Sequence, residues 1–253
     1  MQLPDYIPFE SWWAYLTLLL AATTIGLGKA GVKGGLLFTV PLLAAAFGGK
    51  NAAAVLVPLL LVGDAFAIYR YGKYVKWSYV RSLIPAAIMG ILLAVLVGEW
   101  INDATFGTIL SLIVLASVIV LLYLERYPIN PKKMERPTVA TSAGLLGGFT
   151  TMIGNVGGPV MSIYLLSTRL PKLEFLGTGA YFFLIVNLTK LPFHIWVWKK
   201  LDLQMLWQDL WALPAVLIGF YLGLWLVMRM SEQFFRYLIM GLTCMTALAL
   251  LFS

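Results

Sequence analysis

Charge is what this chain has least of. Only 11% of its 253 residues are charged and 61% are hydrophobic, where a soluble domain carries roughly 25% charged residues. Too few charges remain to cover a water-exposed surface, which excludes a soluble globular protein. No polar stretch is long enough to form a separate soluble domain. A single cysteine, Cys244, excludes a disulfide framework. A single histidine, His194, excludes a multi-histidine metal centre. There is no HExxH, no GxSxG and no Cys/His metal spacing, so the chain reads as a non-enzyme without catalytic residues, metal or cofactor. Basic residues are missing from Met1–Glu10, which carries Asp5 and Glu10. Without the basic start of a signal peptide, the first apolar segment is expected to stay in the mature protein. The net charge of +7 does not point to nucleic acid, because the basic residues lie in short loops between apolar segments.

What is present is a series of ten apolar segments, near 12–28, 33–47, 51–69, 82–98, 104–123, 138–153, 158–168, 174–197, 207–228 and 233–252. A helix needs about 20 apolar residues to cross a bilayer core roughly 30 Å thick. Six segments are long enough, or nearly so, to span alone; the shorter ones flank glycine-rich stretches. The expected fold class is therefore an all-α polytopic membrane protein, with the lipid bilayer as its surroundings. Basic residues cluster at Arg70, Lys73, Lys76 and Arg81, at Arg126, Lys132, Lys133 and Arg136, at Arg169 and Lys172, and at Arg229 and Arg236. Counting segments puts all these clusters on one face, with Lys50, Lys199 and Lys200 opposite. The positive-inside rule makes the basic face cytoplasmic. A multi-pass protein of the inner (plasma) membrane is expected, with both termini outside the cytoplasm.

Two glycine-rich breaks interrupt the apolar pattern, Gly26–Gly35 and Gly147–Pro159. Gly31, Gly34 and Gly35 match Gly154, Gly157 and Gly158 at an offset of 123, which also places Asp64 on Asn187. Farther on, the segment 83–90 resembles 212–219 at an offset of 129. The chain thus reads as one transporter domain, 1–253. Repeat 1 covers about 12–123, a cytoplasmic linker about 124–137 and repeat 2 about 138–252. Five segments per half is an odd number, so the repeats insert in opposite orientations. Inverted repeats whose first pairs are broken or re-entrant helices are the pattern of a secondary transporter with a midplane site.

Glycine lets a ligand approach backbone closely, and a helix starting after a break exposes unpaired N–H groups at the positive end of its dipole. Facing helix starts would make an anion site. The expected substrate-binding residues are Lys29, Gly31, Lys33, Gly34, Gly35, Gly154, Asn155, Gly157, Gly158, Asn187 and Lys190. Lys29 and Lys33 share one helical face, and cations at membrane depth are costly and mark function. Asn187, Lys190 and His194 fall at i, i+3 and i+7, again one face. Asp64 is read as the one acid well inside an apolar segment. It either carries a proton or pairs with Lys29, Lys33 or Lys190. Asp64 and His194 are the candidates for proton coupling.

Gly26-Leu27-Gly28-Lys29-Ala30-Gly31-Val32-Lys33-Gly34-Gly35, the Gly-Asn-Val-Gly-Gly-Pro run at 154–159, and Asn187 resemble the sulfite exporter family TauE/SafE over nearly the whole chain. The resemblance implies duplicated halves and transport of a small sulfur-containing anion, such as sulfite or an organosulfonate. On this reading the chain is a secondary permease or exporter that binds its anion at paired glycine-rich breaks near the midplane. The residues leave open an anion channel, or a non-transporting membrane assembly or interaction protein. They also leave open H+ or Na+ as coupling ion and a homo-oligomer.

Overall fold

Inside a bilayer each backbone polar group must find its partner within the protein, and a helix supplies that partner locally. The computed structural model describes residues 12–32, 49–98, 119, 123, 134, 136–201 and 203–251, and no strand occurs among them. Helix α1 runs Trp12–Ala30, α2 Gly49–Tyr71, α3 Trp77–Gly98, α4 Pro137–Gly154, α5 Gly157–Ser167, α6 Lys172–Pro192, α7 Leu203–Arg229 and α8 Glu232–Leu251. A 3-10 turn, Gly72–Tyr74, follows α2, and a π-helical turn, Phe193–Val197, extends α6. Four stretches are long and apolar enough to cross a membrane: Ala53–Tyr74, Trp77–Gly98, Lys172–Val197 and Met205–Arg229. The segments predicted near 33–47 and 104–123 lie outside the described residues, apart from Ile119 and Tyr123, as does most of the linker 124–137.

The surface confirms the setting. Leu20, Leu93, Leu96, Ile218, Tyr221, Leu222 and Trp225 are exposed. So large an apolar surface is a liability in water and ordinary in lipid. Trp196, Trp207 and Trp211 are exposed as well, as interfacial aromatic residues are. Prolines inside helices, Pro58, Pro85, Pro192 and Pro214, are tolerated because neighbouring helices take up the freed backbone groups.

Two helix crossings frame the interior, and both depend on missing side chains. Where α3 crosses α4, Gly148 lies against the backbone of Ala87 and Gly90 against that of Leu145. Where α1 crosses α7, Gly26 lies against the backbone of Val216 and Gly219 against that of Thr23. A Cβ at any of these positions would strike main chain, so only glycine permits so close an approach. Between the crossings α2 packs on α6. That contact carries the polar residues described next.

The predicted second break is a sharp turn between α4 and α5. Asn155 adopts a left-handed conformation, φ 57°, and ends α4, a role Asn fills more readily than most residues. Helix α5 then folds back along α4: a Cβ on Gly147 would meet Met161, and one on Gly157 would meet Thr151.

Candidate functional site

The polar residues of α2 and α6 meet in an otherwise apolar interior. Lys29, in the last turn of α1, forms an ion pair with Asp64 of α2, Nζ to Oδ1 2.5 Å. The Asp64 carboxylate is fully buried. Its second oxygen accepts a hydrogen bond from Asn187 Nδ2 on α6, 2.6 Å away. Asp64 and Asn187 are therefore in contact, and they are the two residues that the 123-residue offset pairs in sequence. Of the partners open to Asp64 in the sequence, the structure selects Lys29.

One turn beyond Asn187, the Lys190 amine is fully buried. It donates to Asn155 Oδ1 at 2.6 Å and to the Thr151 carbonyl at 3.1 Å. Asn155 Nδ2 in turn donates to the Ala53 carbonyl, 3.1 Å. The turn between α4 and α5 thus hands its side chain to Lys190. No carboxylate forms an ion pair with Lys190 among the described residues. The ion pairs there are Lys29–Asp64 and the surface pair Lys76–Glu174. A buried ion must be matched by charge or hydrogen bonds. Two neutral oxygens meet that need for Lys190 only in part.

His194 completes the face. Asn187, Lys190 and His194 are all buried, as the i, i+3, i+7 spacing predicts. The His194 ring stands edge-on to Trp198, centroids 5.1 Å apart, and neither ring nitrogen has a hydrogen-bond partner. It sits in the π-helical turn; such turns recur at functional sites.

The glycines divide. Gly31, φ 118°, closes α1: Gly31 N donates to Gly28 O and Val32 N to Leu27 O, the paired bonds of a Schellman cap. Its missing Cβ would meet Leu176, Val227 and Phe235. In its described part, then, the first break presents a helix C-terminus packed in apolar side chains, not a helix start. Gly154 is the last residue of α4. Gly157 packs on α4, whereas a Cβ on Gly158 would meet no described atom. The first N–H groups of α5, on Gly157 and Gly158, have no intrahelical acceptor. Pro159 takes the third helical position rather than the first. Lys33, Gly34 and Gly35 lie outside the described residues.

The described ends of the two breaks meet α2 at different levels. Beside Gly31, the Ala30 carbonyl accepts a hydrogen bond from Tyr71 Oη, while Asn155 reaches Ala53. Ala53 and Tyr71 are near opposite ends of α2, about 27 Å apart at 1.5 Å per residue. Between them runs a buried polar line from Lys29 through Asp64, Asn187 and Lys190 to Asn155; the helix start expected after Gly35 lies outside the described residues.

A small cavity of about 30 Å³ opens beside Lys29 and Asp64, with Gly28, Gly179 and Phe183 in its wall. The Lys29 amine also lies 5.0 Å from the centre of the Phe183 ring, within cation–π range. As it stands a cavity of this size holds water, and an anion enters it only where the wall gives way.

Some roles were hidden in the sequence. Thr151 acts through its carbonyl, which no side-chain pattern reveals. Lys172, read as a topology charge, is buried and donates to the Val227 and Met230 carbonyls at the end of α7, 3.1 and 2.7 Å away. Asp209 is a second buried acid, and neither carboxylate oxygen has a partner. The apolar segment read from the sequence starts at 207 and so puts Asp209 at its edge, whereas the helix begins at Leu203 and carries Asp209 inside. Among the described residues no group of three His, Cys, Asp or Glu side chains is placed to hold a metal.

A model of the sulfite exporter TauE/SafE family matches residues 16–250. No curated protein and no solved structure matches the chain.

Proposed function

Because the chain belongs to the sulfite exporter TauE/SafE family of membrane transporters, we propose that it carries a small sulfur-containing anion, sulfite or an organosulfonate, past the buried line of Lys29, Asp64, Asn187, Lys190 and Asn155. The observation that carries this reading is Lys190, a fully buried amine held by neutral oxygens. Asp64 matches Lys29, while Lys190 stands as a second amine that no carboxylate pairs among the described residues. Intramembrane charges of this kind are costly and line substrate paths. Gly158 and the free N–H groups at the start of α5 stand next to Asn155 and add donors of the kind that bind anions.

The internal match supports an inverted-repeat mechanism. Gly90 and Gly219, at the 129 offset, each lie against a carbonyl of the crossing helix; so do Gly148 and Gly26. The last pair differs by 122, one residue short of the 123 offset of the breaks, because Gly148 stands one residue farther from its matched break glycine, Gly154, than Gly26 does from Gly31. Each crossing joins a helix of one half to a helix of the other, as a two-fold exchange requires. Asp64 and Asn187 touch each other, and equivalent residues meet only near such an axis. For inverted repeats that axis lies in the membrane plane, so their contact would mark the midplane. The α4–α5 turn supports a re-entrant pair. Helix α5 has 11 residues, about 16 Å or half a bilayer core. Basic residues Arg136 and Arg169 flank the pair, in keeping with both ends on the cytoplasmic side of an inner membrane.

The cluster is closed on all sides at Lys190, so carriage needs repacking around α6. The kinkable region at Pro192 and the π turn provides a place for it. Thermal unfolding of the purified chain with sulfite, sulfate, thiosulfate, sulfoacetate and taurine tests the assignment. A ligand at a hundred times its Kd adds about 2.7 kcal/mol. At least one sulfur anion is expected to raise Tm by several degrees, and Lys190→Gln to remove the rise. If none shifts Tm, or the variant responds like the parent, the site is wrong.

A further inference from the structure

The cavity beside Lys29 is bounded by both members of an ion pair, and this sets a condition on anion entry. The Lys29 amine is shared among Asp64, the Phe183 ring and the cavity. Asp64 is faced by Lys29 from α1 and by Asn187 and, a turn farther, Lys190 from α6. The other helices packed on α2 offer it no charged group among the described residues; α7 brings Phe220 against Phe66, centroids 6.0 Å apart. An anion entering the cavity would meet Lys29 already neutralised, with the Asp64 charge beside it. One ammonium cannot hold two anions in a low-dielectric interior without a net negative charge.

A proton on Asp64 removes the conflict. The pair Asp64–COO⁻ with Lys29–NH3⁺ takes up one H+ and one monoanion; it becomes Asp64–COOH, with the anion on Lys29–NH3⁺. Charge is balanced on both sides, and no bond other than O–H forms. Asn187 suits both states. Its Nδ2 now donates to the carboxylate, while its Oδ1 is buried without a hydrogen-bond partner. After amide rotation that oxygen can accept the O–H of a protonated Asp64, since an amide carries both donors and an acceptor. The wall has slack for the anion: a Cβ at Gly28 would meet no described atom, and one at Gly179 only Leu165 Cδ1 at 3.8 Å. We propose that Lys29 is an anion-binding group, that Asp64 occupies it between cycles, and that each monovalent sulfur anion binds together with one proton. This rests on the transport reading above and adds a stoichiometry to it. The step moves no net charge, so flux through it responds to a pH gradient and not to membrane potential.

Methanesulfonate is the probe, because it stays a monoanion throughout the working range of pH, whereas sulfite itself titrates. Binding to the purified full-length chain is measured in weak buffer with a pH dye. One proton is expected to be taken up per anion bound. The apparent Kd is expected to weaken by about tenfold per pH unit once Asp64 must be protonated for binding. Asp64→Asn should bind methanesulfonate with no proton uptake and no pH slope. Gly28→Leu, which fills the cavity without touching the ion pair, should lose binding while its Tm holds. Binding without proton uptake in the unaltered chain overturns the proposal. So does an Asp64→Asn variant that keeps the slope, or the absence of methanesulfonate binding at every pH. Should Asp64→Asn fail to fold, proton uptake by the unaltered chain and the Gly28→Leu result decide. A chain that moves sulfonate across liposomes without protons overturns the coupling and leaves transport intact. A chain that binds sulfonate with a proton and moves none overturns the transport reading alone.

Discussion

Lys29 and Asp64 stabilise the chain only as a pair. Asp64 has no exposure and Lys29 little, so removing one partner leaves the other as a nearly uncompensated ion. Such a loss costs about 3–5 kcal/mol, whereas exchanging both for apolar residues is often neutral. Lys29→Met is therefore expected to lower stability by about that amount, and Lys29→Met with Asp64→Leu to recover most of it. Denaturation of the two variants checks this; an additive loss in the double variant would show that the pair is not coupled. The residues of this pair were legible as outliers, since charge inside an apolar run stands out whatever the fold. Their partners were not. Asp64 had three lysines within plausible reach, and choosing Lys29 required knowing that the last turn of α1 packs beside Gly63 and Asp64 of α2. Lys190 shows the same limit: its acceptor Asn155 was visible as a residue in a break, but not as the group that faces it.

At the scale of elements, the breaks taught different lessons. Composition located both, because glycine and small residues interrupt a hydrophobic helix wherever they cluster. It did not say which end of a helix each break exposes. At Gly31 the answer is a C-terminus, fixed by a positive φ and two cap bonds; at Gly157 it is an N-terminus. The glycines within α1, α3, α4 and α7 act differently again, as contact points between backbones. Gly148→Val should place a side chain on the Ala87 carbonyl. Overpacking costs typically 1–3 kcal/mol, and a clash with main chain is at the upper end or beyond. Gly158→Ala meets nothing among the described residues and should leave Tm within a few degrees. Equal losses in the two variants would remove the distinction between packing glycines and the open glycine of the α4–α5 turn.

Across the whole molecule, hydropathy and loop charge carried the fold class, since lipid admits few alternatives to a helix bundle. The arrangement of helices was less accessible, because the helices of the two halves pack crosswise, α1 on α7 and α3 on α4. Sequence neighbours do not report such exchanges. The proposed inverted arrangement makes a topological prediction. In a Cys244→Ser background, Lys73→Cys should react with an impermeant thiol reagent only from the cytoplasmic side. Lys199→Cys should react only from the opposite side. Both positions are exposed, so labelling of the two from one side would contradict the orientation and the inverted repeats with it.

The central claim is that a buried, incompletely matched lysine carries a sulfur anion through this bundle. Uptake of labelled sulfite into proteoliposomes tests it most directly. The account predicts saturable uptake above protein-free liposomes, lost in Lys190→Gln and unchanged in Lys76→Gln, whose amine lies in a surface ion pair. Uptake that is absent, or that survives Lys190→Gln with the same rate and saturation, would contradict it.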